Sequence, residues 1–160
     1  MREQPNERIA TDAVKAWQLT AHLFAIIPLL ITIAAFVIAY FFDFLSYWVG
    51  LIALAVTIVE WVVTALIIPK LRWKRWRYQI YDQEIYIQHG ILIVTRTVVP
   101  MIRVQHVDTQ QGPILKKYGL STLQISTAAT THEIPALLEE EAADLRDQIS
   151  ELARVEQDDV

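Results

Sequence analysis

The 160-residue chain is 54% hydrophobic and 20% charged, carries a net charge of −4 and has no cysteine. The missing cysteines exclude disulfides, thiol nucleophiles and cysteine-ligated metals. The apolar residues crowd into the first half, and the charge is just as uneven. Residues 70–77 hold five cations and no anion, whereas residues 78–160 hold 13 acids against 6 bases. Two environments are implied, with a basic collar between an apolar half and an acidic half.

Residues 1–16 read as a cytosolic N-terminal tail and residues 17–69 as a transmembrane hairpin. Two apolar runs, 19–42 and 47–68, are each long enough to cross about 30 Å of hydrocarbon. The first run is too long for a cleaved signal peptide and has no cleavage site after it. The link Asp43–Ser46 is so short that the two helices must be antiparallel neighbours. Arg2, Arg8 and Lys15 precede the first run, five cations follow the second, and the link has none. The positive-inside rule then places both termini in the cytoplasm, as a multi-pass protein of the cytoplasmic membrane. Trp17, Tyr40, Tyr47 and Trp48 border the runs as aromatic belts do.

Inside the hairpin, Pro28 is expected to bend the first helix. Glu60 lies roughly 12 Å from the cytoplasmic end of the second run, where an ionisable group is costly and usually meets a partner. Three candidates remain: a membrane-embedded contact with His22, a bond to a threonine such as Thr20 or Thr64, or a polar group on another subunit. Two helices alone cannot line a conduit, so a transport role requires oligomerisation.

Pro69 is expected to close the second helix, and the period then changes. Short strands are predicted at Tyr78–Tyr81, Ile85–His89, Ile91–Val99, Ile102–Gln110, Leu120–Thr127 and Thr131–Ile134, with a helical turn near Ile114–Gly119. Pro135 is expected to open a helix whose apolar stripe is Leu138, Ala142, Leu145, Ile149 and Leu152. Residues 70–153 thus make an α+β domain, a bent antiparallel sheet of six or seven strands capped by a C-terminal helix, with 154–160 as a frayed acidic tail. That is a PH-like arrangement.

No Gly-rich phosphate loop, His-Glu-x-x-His or Gly-x-Ser-x-Gly motif occurs. His89, His106 and His132 fall on three separate β segments without carboxylates at metal-ligand spacing. The expectation is no catalytic residue, no metal, no cofactor and no nucleic-acid partner. The collar of Lys70, Arg72, Trp73, Lys74, Arg75, Trp76 and Arg77 is required by topology alone. It is also a candidate for anionic head groups, at about 1 kcal/mol per cation near the surface. Arg103, Gln105, Lys116 and Lys117 are either structural and solvated or a docking face for an acidic partner or head group.

The stretch Val99-Pro100-Met101-Ile102-Arg103-Val104-Gln105-His106-Val107-Asp108, followed by Gln111-Gly112-Pro113-Ile114-Leu115-Lys116-Lys117-Tyr118-Gly119-Leu120 and Thr122–Ala128, resembles the bacterial PH-domain membrane proteins of the YdbS/YdbT type. The two membrane helices with a basic exit share that resemblance; Ala129, where relatives often carry glycine, departs from it. The resemblance implies a non-enzymatic membrane adaptor or subunit that assembles with a larger multi-copy paralogue or with itself. Envelope maintenance or defence against membrane-active agents is the implied role. The alternatives are a small subunit of a transport or lipid-handling assembly, or an anionic-lipid sensor whose partners are membrane lipids. Phosphoinositide binding is not implied, because fold does not carry function with it.

Overall fold

Thirty consecutive helical residues, Ala13–Phe42 (α1), form the first helix of the computed structural model. The structure describes residues 4–42 and 47–158; the expected link Asp43–Ser46 and Arg2 lie outside them. The chain forms two compact units, residues 17–70 and residues 1–16 with 71–160.

In the first unit α1 is followed by α2 (Tyr47–Val62), a π-helical turn (Val63–Ile67) and the start of α3 (Ile68–Arg75). Both helical stretches are long and apolar enough to cross a membrane, and their outer faces are almost wholly unburied. In water such a surface would be untenable; in hydrocarbon it is the expected solvent-facing side. Between α1 and α2, the hydroxyl oxygens of Thr32 and Thr57 lie 2.9 Å apart. The Thr32 hydroxyl also contacts the Pro28 carbonyl (2.9 Å) and that of Thr57 the Ala53 carbonyl (3.0 Å). Each of these two hydroxyls therefore has a partner inside the protein, as the bilayer requires. A methyl group at Gly50 would sit 2.6 Å from the Phe36 ring, so the glycine lets that ring approach the α2 backbone.

The helix does not end at Pro69. It continues to Arg75, and the π turn explains how. Proline cannot donate to the carbonyl four residues back and its ring crowds that carbonyl. Widening the preceding turn, with the Ile68 amide donating to the Val63 carbonyl, shifts the hydrogen-bond register and lets the helix pass through.

In the second unit six strands form two three-stranded antiparallel sheets, β1-β2-β3 and β4-β5-β6. The strands are β1 (Arg77–Ile80), β2 (Glu84–His89), β3 (Thr95–Pro100), β4 (Val104–Gln110), β5 (Leu120–Thr127) and β6 (Thr131–Leu138). A short helix α4 (Pro113–Lys117) links β4 to β5, and α5 (Glu139–Asp158) packs over the second sheet. Tyr78, Ile85, Ile87, Met101, Leu120, Leu123, Ile125, Ile134, Leu137 and Ile149 are fully buried and form the core. On β5 the inward residues Leu123 and Ile125 alternate with half-exposed neighbours, the period of a sheet with one buried face.

Three boundaries differ from expectation. Pro135 does not open α5; it lies within β6, beside Ala136 at φ 52°. The β5–β6 register shifts there, so the proline occupies a bulge, a position where the missing N–H costs no ladder bond. Residues 91–93 leave the expected strand and form a bend before β3 begins at Thr95. The acidic end is not frayed from Arg154, because α5 runs to Asp158 with Ala153 buried. The N-terminal residues are also more than a tail. Pro5, Ile9, Ala13 and Ala16 are buried, and Glu7 pairs with Tyr78 through two backbone bonds of 3.1 and 3.2 Å.

Gln111, part of the family-like motif, ties the link between β4 and α4 to the start of β5 and the start of α5. Its side-chain amide donates to the Leu120 carbonyl (3.0 Å) and the Glu139 carboxylate (3.1 Å). The Glu139 amide in turn donates to the Gly119 carbonyl at 3.1 Å. Glu139, Glu140 and Glu141 in the first turn of α5 place negative charge at the positive end of the helix dipole.

Candidate functional site

His22 and Glu60 are not brought together. The His22 ring donates from Nδ1 to the Gln18 carbonyl at 2.5 Å and meets Trp61 edge-on, centroids 5.6 Å apart. These two rings line an apolar hollow with Ala25, Ile26, Leu29 and Thr57. Thr64 does reach Glu60, but its hydroxyl donates to the backbone carbonyl at 2.8 Å, leaving the carboxyl aside. Glu60 is exposed on the hairpin surface, and among the described residues no side chain bonds its carboxyl. Among the described residues, neither His22 nor Thr64 bonds the Glu60 carboxyl.

The collar separates into two kinds of residue. Lys70, Arg72, Lys74 and Arg75 are exposed, as a head-group contact would need. Trp73 and Trp76 instead serve the second unit's own packing. The Trp73 indole N–H donates to the Ile9 carbonyl at 3.1 Å, and Arg8 lies over its ring at 5.5 Å. Trp76 is only 7% exposed and stacks on His89, centroids 5.3 Å apart. Arg77 is half-buried at the start of β1.

The proposed docking residues do not share one patch. Arg103 and Gln105 line a shallow groove with Ile102, Thr127, Ala128 and Ala129 at the start of β4. Lys116 and Lys117 lie on α4, beyond the far end of β4. The five β4 residues after Gln105, His106–Gln110, lie between the two pairs, roughly 17 Å at strand rise. His89 and His132, distant in sequence, line one cleft with Trp76, Thr97 and Glu133. Among the described residues no three His, Asp or Glu side chains are grouped to hold a metal ion.

Two features escaped the sequence reading. The first is a polar tie through the core: Tyr78, fully buried on β1, donates its phenol to Glu141 Oε1 on α5 at 2.6 Å. Burial above all, then this hydrogen bond and the Glu141 and Glu7 charges, raises the Tyr78 pKa well beyond the usual phenol range. The second is a row across the first sheet, where Arg77, Gln88 and Arg96 are directly paired. Gln88 is buried, and its side-chain carbonyl accepts from Arg96 Nε at 3.0 Å. Arg96→Ala orphans that acceptor and is expected to cost about 1–3 kcal/mol, read as a fall in the urea midpoint; Arg103→Ala, on the open groove, serves as the unaffected comparison.

Six antiparallel strands in two sheets with a C-terminal helix, carried on two helices able to cross a membrane, define a membrane-anchored PH-domain protein. The chain belongs to the bacterial PH domain family, which matches residues 14–153. It is 54% identical to the UPF0699 transmembrane protein YdbS of Bacillus subtilis (strain 168) over 160 residues, the full length of both. It is 32% identical over 102 residues to the UPF0699 transmembrane protein YdbT of the same organism, covering 64% of this chain and 20% of that protein. No solved structure matches the chain.

Proposed function

We propose that the chain is a non-enzymatic membrane adaptor that assembles with a larger membrane protein containing related PH domains. Its hairpin holds the PH-like unit at the cytoplasmic face, with both termini inside, as the distribution of cations favours. The observation that carries the reading is Glu60: an acid within an apolar span, exposed on the surface of the hairpin, whose carboxyl is bonded by no side chain among the described residues. Such a residue is costly against lipid and is relieved by a polar group on a neighbouring helix. The relation to YdbT, of which the matched segment is 20%, supplies a larger relative of the required kind. Envelope maintenance or defence against membrane-active agents is the role this assembly would serve.

The test is purification of the tagged chain from its native membranes in mild detergent, with stoichiometric companions identified by mass spectrometry. A PH-domain membrane protein at fixed ratio is the expected result; recovery alone or only as copies of itself overturns the reading. Glu60→Leu is expected to weaken the association about 3- to 20-fold, the span of measured polar contacts between membrane helices. If Glu60→Gln leaves the complex whole but abolishes its activity, Glu60 belongs to a transport path instead.

A further inference from the structure

We infer that the β2–β3 loop, Gly90–Val94, is a second membrane contact: an apolar tip that enters the lipid interface without spanning it. Leu92 is 96% exposed and Ile93 82%, the most exposed large apolar side chains among the described residues of the strand-rich unit, with half-buried Ile91 and the less exposed Val94 beside them. In water these two side chains gain nothing from that position, and the core has no need of them. The turn is nevertheless closely built. Gly90 has φ +112°, and a Cβ there would lie 1.9 Å from the Ile93 carbonyl oxygen, so the loop folds tightly back on its glycine and thrusts the next residues outward.

The position of the tip and the charges beneath it identify the occupant as lipid. Arg77 pairs with Gln88, and Gln88 with Arg96, one residue row across the sheet. That row lies roughly 7 Å below the start of the loop at strand rise. Two guanidiniums therefore flank the base of an apolar tip, the arrangement that places cations among anionic head groups when the tip is in the acyl boundary. The strand end that carries the tip is also the end where β1 begins, directly after the basic run that leaves the membrane helix. The opposite end of the same sheet, the β1–β2 turn at Asp82, Gln83 and Glu84, is acidic. The sheet is thus polarised from a basic, apolar-tipped end to an acidic one.

The chain has no cysteine, so single cysteines give clean probe sites. Full-length Leu92→Cys, Ile93→Cys and, at the opposite end of the sheet, Asp82→Cys would each be labelled with an environment-sensitive fluorophore. They would be reconstituted into phosphatidylcholine–phosphatidylglycerol vesicles at two protein-to-lipid ratios. The expected result is blue-shifted emission at 92 and 93, lost on adding lipid with a nitroxide high on the acyl chain and insensitive to aqueous iodide. The probe at 82 is expected to respond to iodide alone. Iodide quenching at 92 and 93 equal to that at 82 overturns the inference, since the tip is then in water. Shielding from both quenchers, or shielding that vanishes at the lower protein ratio, also overturns it, since a protein partner or a second copy then covers the tip.

Discussion

Replacing Tyr78 by alanine is expected to destabilise the strand-rich unit by about 3–5 kcal/mol, the usual loss when a large aromatic side chain leaves a core. Domains of this kind are stable by only about 5–15 kcal/mol, so the variant approaches unfolding at ambient temperature. Tyr78 is fully buried and links three segments: its backbone pairs with Glu7, its strand pairs with β2, and its hydroxyl reaches Glu141 on α5. Tyr78→Phe isolates the hydroxyl. It keeps the ring and is expected to lose about 1.5–3 kcal/mol, the range for a hydrogen bond to a charged acceptor. The ranking is read from urea midpoints of the full chain in micelles, followed by proteolysis of the strand-rich unit; equal midpoints for Tyr78→Phe and the parent would show that the bond contributes nothing. The same bond sets a pH dependence. The folded pKa of Tyr78 is raised, by burial first and by Glu141 next. The folded state therefore holds the phenol proton more tightly than the unfolded one, and this stability is complete below the ordinary tyrosine value of about 10 and declines as pH rises above it. Tyr78→Phe is expected to flatten that alkaline decline.

Gly90→Ala is the second large effect. Its positive φ is strained for any residue with a Cβ, at a cost of about 1–3 kcal/mol, and the new methyl would overlap the Ile93 carbonyl oxygen at 1.9 Å. Backbone cannot yield as a flexible side chain can, so the loop must open. The expected readout is a lower urea midpoint together with faster amide exchange at Gln88–Arg96, and loss of the lipid-shielded signal at Leu92. Two other glycines calibrate the result. Gly119 has φ +63° and nothing within 4 Å of a Cβ, so Gly119→Ala bears the left-handed strain alone, about 1–2 kcal/mol. Gly112 has neither restriction, and Gly112→Ala is expected to be neutral. Equal stability of all three variants would refute the steric account.

Long-period features were legible in the residues themselves. Two apolar runs with a basic exit need no tertiary information, because a membrane span is defined by length and hydropathy alone. Of the expected α5 stripe, Ala142 and Ile149 are buried and Leu145 and Leu152 half-buried, while Leu138 lies at the end of β6 and is exposed. That stripe and the alternation on β5 are local, since a helix or strand with one buried face writes its period into the chain. Prolines misled for a definite reason. A proline forbids a hydrogen bond but does not say which neighbour will absorb the loss; at Pro69 a π turn does so, and at Pro135 a β-bulge does.

The candidate site was less legible, because its meaning depends on which groups the fold brings within reach. Glu60 is conspicuous in any apolar run, yet only the structure places His22 against Trp61 and Thr64 on a backbone carbonyl, leaving the Glu60 carboxyl exposed. Trp73 and Trp76 have the composition of a membrane belt, and tertiary packing turns them toward Ile9 and His89 instead. Tyr78 and Glu141 are 63 residues apart, and no periodicity connects them. Ile91–Val94 has the β-branched content of a buried strand. What decided otherwise was Gly90, whose positive φ ends β2 and turns Leu92 and Ile93 outward, so burial there follows from backbone geometry and not from side-chain preference. The sequence by itself determined the division into a membrane-spanning half and a strand-rich half, because both follow from local hydropathy and period. Which polar and apolar groups were left unsatisfied, and so available for a partner or for lipid, was decided only by the tertiary structure, because that depends on contacts between distant parts of the chain.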